Sequence, residues 1–114
     1  MRYTKINLKP LSVNKAWQGK RYKTNEYIKF ERNCLQLLPA LNIGSEKLCI
    51  TIEYGFSNTL SDIDNPTKMI LDILQKRYNF NDNQIYKLVL YKNIVKKENE
   101  YFAFFIENYL EKSL

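Results

Sequence analysis

Residues 47–56 alternate without a break. Leu48, Ile50, Ile52, Tyr54 and Phe56 fall on one side, and Cys49, Thr51, Glu53 and Gly55 on the other. A period of two over this length predicts a strand with one face in the core. Ile6 and Leu8, set between Lys5, Asn7 and Lys9, predict a shorter strand of the same kind. Tyr27, Phe30, Cys34, Leu37 and Leu38 recur at spacings of three and four, which predicts a core-facing helix over 25–38. Thr24 or Asn25 supplies its cap and Pro39 ends it. A second helix is predicted from Met69, Ile70, Ile73 and Leu74, with Asn65 as N-cap and Pro66 in the first helical position.

Residues 78–83 read as a turn. Residues 84–94 follow with apolar groups on both faces (Ile85, Leu88, Val89, Leu90), which predicts a central strand. Residues 96–99 read as a hairpin link into a last strand over 100–107. Its run from Tyr101 to Ile106 is more apolar than one buried face requires, so it is either covered on both sides or part of a dimer interface. The predicted order is β-α-β-α-β-β. That is a small α/β (α+β) domain over 1–114, a mixed sheet packed against two helices. No repeat, low-complexity tract or linker interrupts it.

Composition narrows the chemistry. The 114 residues suffice for one core and not for two. No histidine is present, which removes histidine-based catalysis and zinc sites with histidine ligands. Two cysteines are too few for a four-thiolate zinc site. Cys34 and Cys49 fall within apolar patterns and read as reduced core residues, with a disulfide between them as the alternative. The first residues carry no apolar run of the signal-peptide type, and no stretch has the length of a membrane span. The expectation is a cytoplasmic protein with no membrane partner.

Charge is unevenly spread. Residues 1–25 hold Arg2, Lys5, Lys9, Lys15, Lys20, Arg21 and Lys23 and no acid, or +7 against +6 for the whole chain. A basic segment on a near-neutral body points to a polyanion. Between Pro10 and Lys23 the bases lie beside Trp17 and Tyr22, a mixture that suits phosphate contact and base stacking. The competing reading is a solvated loop with Trp17 in the core.

The candidate chemistry lies between the long strand and the second helix. Asp62 and Asp64 are two apart, so in extended chain both point to one side. Two anions so placed repel unless a cation lies between them. Mg²⁺ takes one or two carboxylates together with phosphate oxygens and water. Asp64, Lys68 and Asp72 are spaced by four and share a helix edge, which sets an ammonium one turn from the acidic pair. Such a group can hold a phosphate oxygen or balance charge on a leaving group. Asp82 follows the helix and can join the pair if the chain folds back. In the competing reading Asp62 and Asp82 are turn residues, Asp64 is a cap, and Lys68 and Asp72 form a solvated ion pair. A calcium-binding EF-hand loop does not fit. Counted from Asp62, its glycine position holds Thr67 and its glutamate position holds Ile73.

The run Asp62-x-Asp64-Asn65-x-x-Lys68-x-x-x-Asp72, followed by Asp82-x-Gln84-Ile85, resembles the signature of the RusA family of Holliday-junction resolvases. A second segment, Pro10-x-Ser12-x-Asn14-Lys15, is similar to that family's Pro-Pro-Ser-x-Asn, with Leu11 where the second proline usually stands. With these two segments in place, the resemblance covers the chain from about residue 3 to residue 106. The resemblance implies a Mg²⁺-dependent endonuclease, with Mn²⁺ able to substitute, of a kind common in bacteria, phages and prophages. It implies a homodimer that nicks opposed strands of four-way or branched DNA symmetrically. It assigns metal binding to Asp62, Asp64 and Asp82, and catalysis to Lys68 with Asp72. With the basic segment, it directs DNA contact to Asn14, Lys15, Lys20, Arg21, Lys23 and Asn65. A DNA-binding or packaging accessory that does not cut is the alternative. An enzyme acting on a free nucleoside triphosphate would need a phosphate-cradling loop, and Gly19, Gly44 and Gly55 are scattered.

Overall fold

The computed structural model describes residues 3–12, 17–18 and 22–111. Its strands are β1 (Thr4–Ile6), β2 (Trp17–Gln18), β3 (Tyr22–Lys23), β4 (Leu48–Phe56), β5 (Ile85–Ile94) and β6 (Tyr101–Asn108). Its helices are α1 (Asn25–Leu37) and α2 (Thr67–Tyr78). Four strands form one mixed sheet in the order β1-β6-β4-β5, with β4 and β5 parallel and β6 antiparallel to both β1 and β4. The short antiparallel pair of β2 and β3 falls within the segment expected to be a loop.

The even positions of β4 build the core. Leu48, Ile50, Ile52, Tyr54 and Phe56 pack with Phe102 and Phe104 of β6 against Tyr27 and Cys34 of α1 and Met69, Ile70, Ile73 and Leu74 of α2. Both helices therefore cover the same face, as expected for a mixed sheet packed on two helices. The odd positions of β4 are not solvated as a half-buried strand would have them. Cys49, Thr51 and Gly55 are buried, these small residues lying below larger side chains of the flanking strands, as the Tyr101 ring lies over Gly55. Cys34 and Cys49 are both free thiols.

Helix α1 starts as expected, with the Thr24 side chain accepting from the Tyr27 backbone N–H at 3.1 Å. Its end differs. Leu37 is 53% exposed, while Leu38 leaves the helix in an extended conformation and turns into the core. The proline at 39 disfavours helical geometry in the residue before it, so the last apolar position lies beyond the helix. Helix α2 also starts later than expected. Pro66 is its N-cap and Asn65 precedes the helix.

Two predictions about the C-terminal half are corrected. The strand over 85–94 is an edge strand rather than a central one, and Tyr86, Leu88, Tyr91 and Ile94 are exposed along it. The 96–99 link is not a hairpin. Strand β6 inserts between β1 and β4, so residues 95–100 pass over the end of β4. There the Val95 N–H donates to the Phe56 carbonyl at 2.8 Å. The buried Glu100 carboxylate accepts from the Ser57 N–H at 3.1 Å and from its hydroxyl at 3.0 Å. The apolar count was right and the strand order was not, because β6 rather than β5 takes the second inner place.

The β4–α2–β5 unit fixes the layout of the site. A parallel pair needs a crossover that returns the chain to the starting end of the sheet. Phe56 pairs with Ile94 and Leu48 with Ile85. Whatever follows β4 therefore lies at one end of the sheet, and whatever precedes β5 lies at the other.

Candidate active site

The segment between β4 and α2 is pinned at several peptides on either side of Asp62. The Asn58 side chain accepts from the Leu60 N–H at 2.8 Å, closing a tight turn in which the Ser61 N–H donates to the Asn58 carbonyl at 3.2 Å. Lys92, reaching in from β5, donates to the Thr59 carbonyl at 2.7 Å and to the Ser61 carbonyl. On the other side of Asp62, the Thr67 hydroxyl donates to the Ile63 carbonyl at 2.6 Å. That leaves its oxygen to accept from the Tyr54 hydroxyl at 2.7 Å. The Thr67 N–H donates to the Asp64 carbonyl at 3.2 Å. A peptide unit is planar, so holding its carbonyl restricts the position of the next Cα. The Ser61, Ile63 and Asp64 carbonyls are all held, and the two aspartates are carried on a constrained backbone.

The side chains themselves are free of such ties. Asp62, Asp64 and Lys68 are exposed. Among the described residues no hydrogen bond or ion pair engages either carboxylate or the Lys68 ammonium. The expected alternative of a Lys68–Asp72 ion pair is not formed. Asp72 is half-buried on α2 and close enough to Tyr27 to act on it. Burial first, and the Asp72 charge second, push the Tyr27 phenol up to about 12. Two exposed carboxylates on a constrained backbone, neither paired with a cation among the described residues, suit a hard divalent ion.

Beside the pair lies a cleft of about 640 Å³ whose lining includes Pro10, Ser12, Asp62, Asn65, Lys97 and Glu100. It joins the two segments singled out in the sequence, the Pro10–Ser12 stretch and the acidic motif, which are some fifty positions apart in the chain. Asn65 is half-buried in its wall.

Asp82 is placed elsewhere. It opens a short 3-10 turn, Asp82–Gln84, that leads into β5. Asn81 caps this turn reciprocally with Gln84, whose amide also donates to the Gly44 and Glu46 carbonyls before β4. At about 3.3 Å per residue, the nine-residue β4 separates that end of the sheet from the acidic pair by roughly 25 Å. Within one chain, Asp82 does not join Asp62 and Asp64. No group of three His, Cys, Asp or Glu side chains able to hold a metal forms among the described residues.

Of the expected DNA contacts, Asn14, Lys15, Lys20 and Arg21 lie outside the described residues. Lys23 is engaged within the chain. It pairs with Glu31 at 3.2 Å and lies 4.7 Å from the centre of the Tyr27 ring. Lys76 of α2 reaches the same Glu31 at 3.0 Å. Burial would raise the Glu31 carboxyl, but hydrogen bonds from Lys76 and Lys23 outweigh it and hold the group below its usual value. Lys92, Thr67 and Tyr54 were not singled out from the sequence. Lys92 left a signal, a lysine at a position that alternates with Leu88, Leu90 and Ile94 on one face of its strand.

An acidic pair at a cleft that Lys9 and Lys97 also line, close in sequence to the unpaired Lys68 ammonium, is the layout expected of a nuclease that works with a divalent cation. The sequence model of the endodeoxyribonuclease RusA family matches residues 11–101, and the chain belongs to that family. It is thus an endodeoxyribonuclease of the Holliday-junction-resolving class, a class generally dependent on a divalent metal. No curated protein matches the chain.

Proposed function

We propose that the chain resolves four-way and related branched DNA with Mg²⁺ by paired, symmetric nicks, acting as a homodimer. The observation that carries this reading is the acidic pair, with its peptides pinned on both sides and its carboxylates left free. Asp62 and Asp64 supply the one or two carboxylates that Mg²⁺ accepts alongside phosphate oxygens. The bound ion would supply positive charge to the scissile phosphate and a more acidic water. Lys68, in the first turn of α2, balances charge on the phosphate or on the departing oxygen. Asp72, a further turn along, orients that ammonium once DNA is bound. Asn65 in the cleft wall and Asn14, Lys15, Lys20 and Arg21 in the basic segment hold the backbone, while Lys23 stays with Glu31.

Asp82 enters as a ligand from a second copy. The β5 edge has no neighbour among the described strands and exposes Tyr86, Leu88, Tyr91 and Ile94. Two such edges paired antiparallel about a twofold axis would bring the start of one β5 beside the end of the other. Asp82 of each copy would then stand at the sheet end that carries the acidic pair of its partner. Strands pair about 4.8 Å apart, so only two strand spacings separate β4 from the second copy's β5. A twofold dimer also matches a junction with two equivalent strands to cut.

The test is nicking of a labelled four-way junction by Asp64→Asn in Mg²⁺. The variant is expected to bind the junction and leave it uncut. Normal nicking would remove the acidic pair from the mechanism. An unmodified protein that binds junctions without nicking them in Mg²⁺ or Mn²⁺ would favour the accessory reading.

A further inference from the structure

Lys92 stands in a place that no motif marks. In the parallel register it pairs with Tyr54, so its side chain leaves the sheet on the face that the helices cover. On an edge strand, that face lies at the rim of the helical layer. From there the ammonium bridges two carbonyls of one turn, Thr59 and Ser61. The turn is closed from inside by Asn58. Carbonyl oxygens that converge on one point repel each other unless a donor or cation lies between them. The lysine is therefore a condition of this turn's shape rather than an ornament on it.

The second carbonyl is the informative one. It belongs to the peptide that joins Ser61 to Asp62. Because that unit is planar, anchoring its oxygen limits where the Asp62 Cα can stand, and so limits the space its carboxylate can reach. Thr67 does the corresponding work for Asp64 by holding the Ile63 carbonyl. Each member of the acidic pair thus has its own anchor, one from the helix and one from the edge strand.

We propose that Lys92 is a positioning residue for divalent-ion binding, acting through the Ser61 peptide on Asp62 and touching neither metal nor DNA. This rests on the metal-dependent nuclease reading of the pair. It adds that the edge strand β5 sets the geometry of the adjacent site through a side chain, so that any rearrangement of β5 is felt at Asp62.

The test compares Lys92→Met, which keeps the stem and removes the ammonium, with Lys92→Arg, which retains a cation with several donors. Misplacing a reacting group by about 1 Å costs on the order of 100-fold in rate. Lys92→Met should therefore lower nicking at saturating Mg²⁺ by about 10- to 100-fold, on that same scale. It should also raise the Mg²⁺ concentration for half-maximal nicking by roughly tenfold, a carboxylate being displaced from the ion. Junction affinity in Ca²⁺ should stay within about twofold, as no phosphate contact is lost. Amide exchange over 60–64 should quicken, and Lys92→Arg should restore most of each property. Unchanged Mg²⁺ dependence in Lys92→Met overturns the proposal. So does a loss of junction affinity with unchanged exchange, which would make Lys92 a DNA contact. If the unmodified protein fails to nick, the nuclease reading falls by that result, and exchange over 60–64 separately decides whether Lys92 clamps the turn.

Discussion

Replacing Thr67 by valine preserves side-chain shape and removes one hydroxyl from a chain of two hydrogen bonds. The Tyr54 hydroxyl lies 2.7 Å from the Thr67 oxygen, and Thr67 donates to the Ile63 carbonyl at 2.6 Å. Tyr54 has no exposed surface and Thr67 is 6% exposed. In Thr67→Val the Tyr54 hydroxyl is buried without a partner, which costs about 1–3 kcal/mol, and the bond to Ile63 is lost for about 1 kcal/mol more. The expected total is roughly 2–4 kcal/mol. A domain of this size loses about 4 °C in Tm per kcal/mol, so the midpoint should fall by about 8–16 °C. Tyr54→Phe removes only the first bond and leaves Thr67 donating to Ile63, at a cost of about 1 kcal/mol. The double variant distinguishes this reasoning from a general loss of packing. Removing the stranded Tyr54 hydroxyl from Thr67→Val should recover about 1 kcal/mol or more, so the double variant is more stable than Thr67→Val alone. Its nicking activity should not recover, because the Ile63 carbonyl between the two aspartates stays unheld. Urea unfolding and a junction-nicking assay on the same three proteins measure both. A double variant less stable than Thr67→Val, or a Thr67→Val no worse than Tyr54→Phe, would refute the argument.

Gly55→Ala tests the open face of the sheet. A Cβ there would stand 2.2 Å from the Tyr101 ring. That ring is tied by its hydroxyl, which donates to Glu53 at 2.7 Å and accepts from Asn93 at 3.0 Å. Overpacking of this kind costs about 1–3 kcal/mol, readable in a urea titration, and a loss below measurement would mean that the ring moves freely. Burial pushes the Cys34 thiol from 9.0 up to about 12, and burial with the Asp72 charge raises the Tyr27 phenol from 10.0 to about 12. Both groups hold protons in the folded state that the unfolded chain releases. Their contribution is thus complete below about pH 9 and falls away as pH rises towards about 12. Cys34→Ala should flatten the part of this decline that begins near pH 9 and leave the part due to Tyr27. An unchanged profile would mean that Cys34 is not protected. In the same way, Cys34 should resist alkylation at pH 8 until the protein is unfolded.

The strands and helices were legible where one physical pattern acted alone. β4 and α1 are found within a residue or two of expectation because their apolar spacing is unambiguous and their caps are local. Strand order was not legible. The apolar positions of β5 and β6 both fit an inner place, and the choice depends on which strand inserts beside β4, a matter of long-range pairing. The start of α2 was misjudged because Pro66 satisfies several helix-start geometries. At the site, the acidic pair and its free ammonium could be read from spacing. The anchors could not, since Lys92, Thr67 and Tyr54 meet the loop only through tertiary structure. Asp82 shows the limit most clearly. The family resemblance set it with the pair, which within one chain needed a fold-back, and the parallel β4–α2–β5 crossover places it at the other end of the sheet.

That placement gives the account its most direct test, by mixing Asp64→Asn and Asp82→Asn chains on a four-way junction in Mg²⁺. If one copy supplies Asp62 and Asp64 and the other supplies Asp82, each variant alone has two damaged sites. A mixed dimer then gathers both substitutions into one site and leaves the other intact. Each variant alone should be inactive, and the mixture should regain nicking, one strand per dimer. A mixture as inactive as its parts, or an Asp82→Asn protein that nicks as well as the unmodified chain, would contradict a site assembled from two subunits.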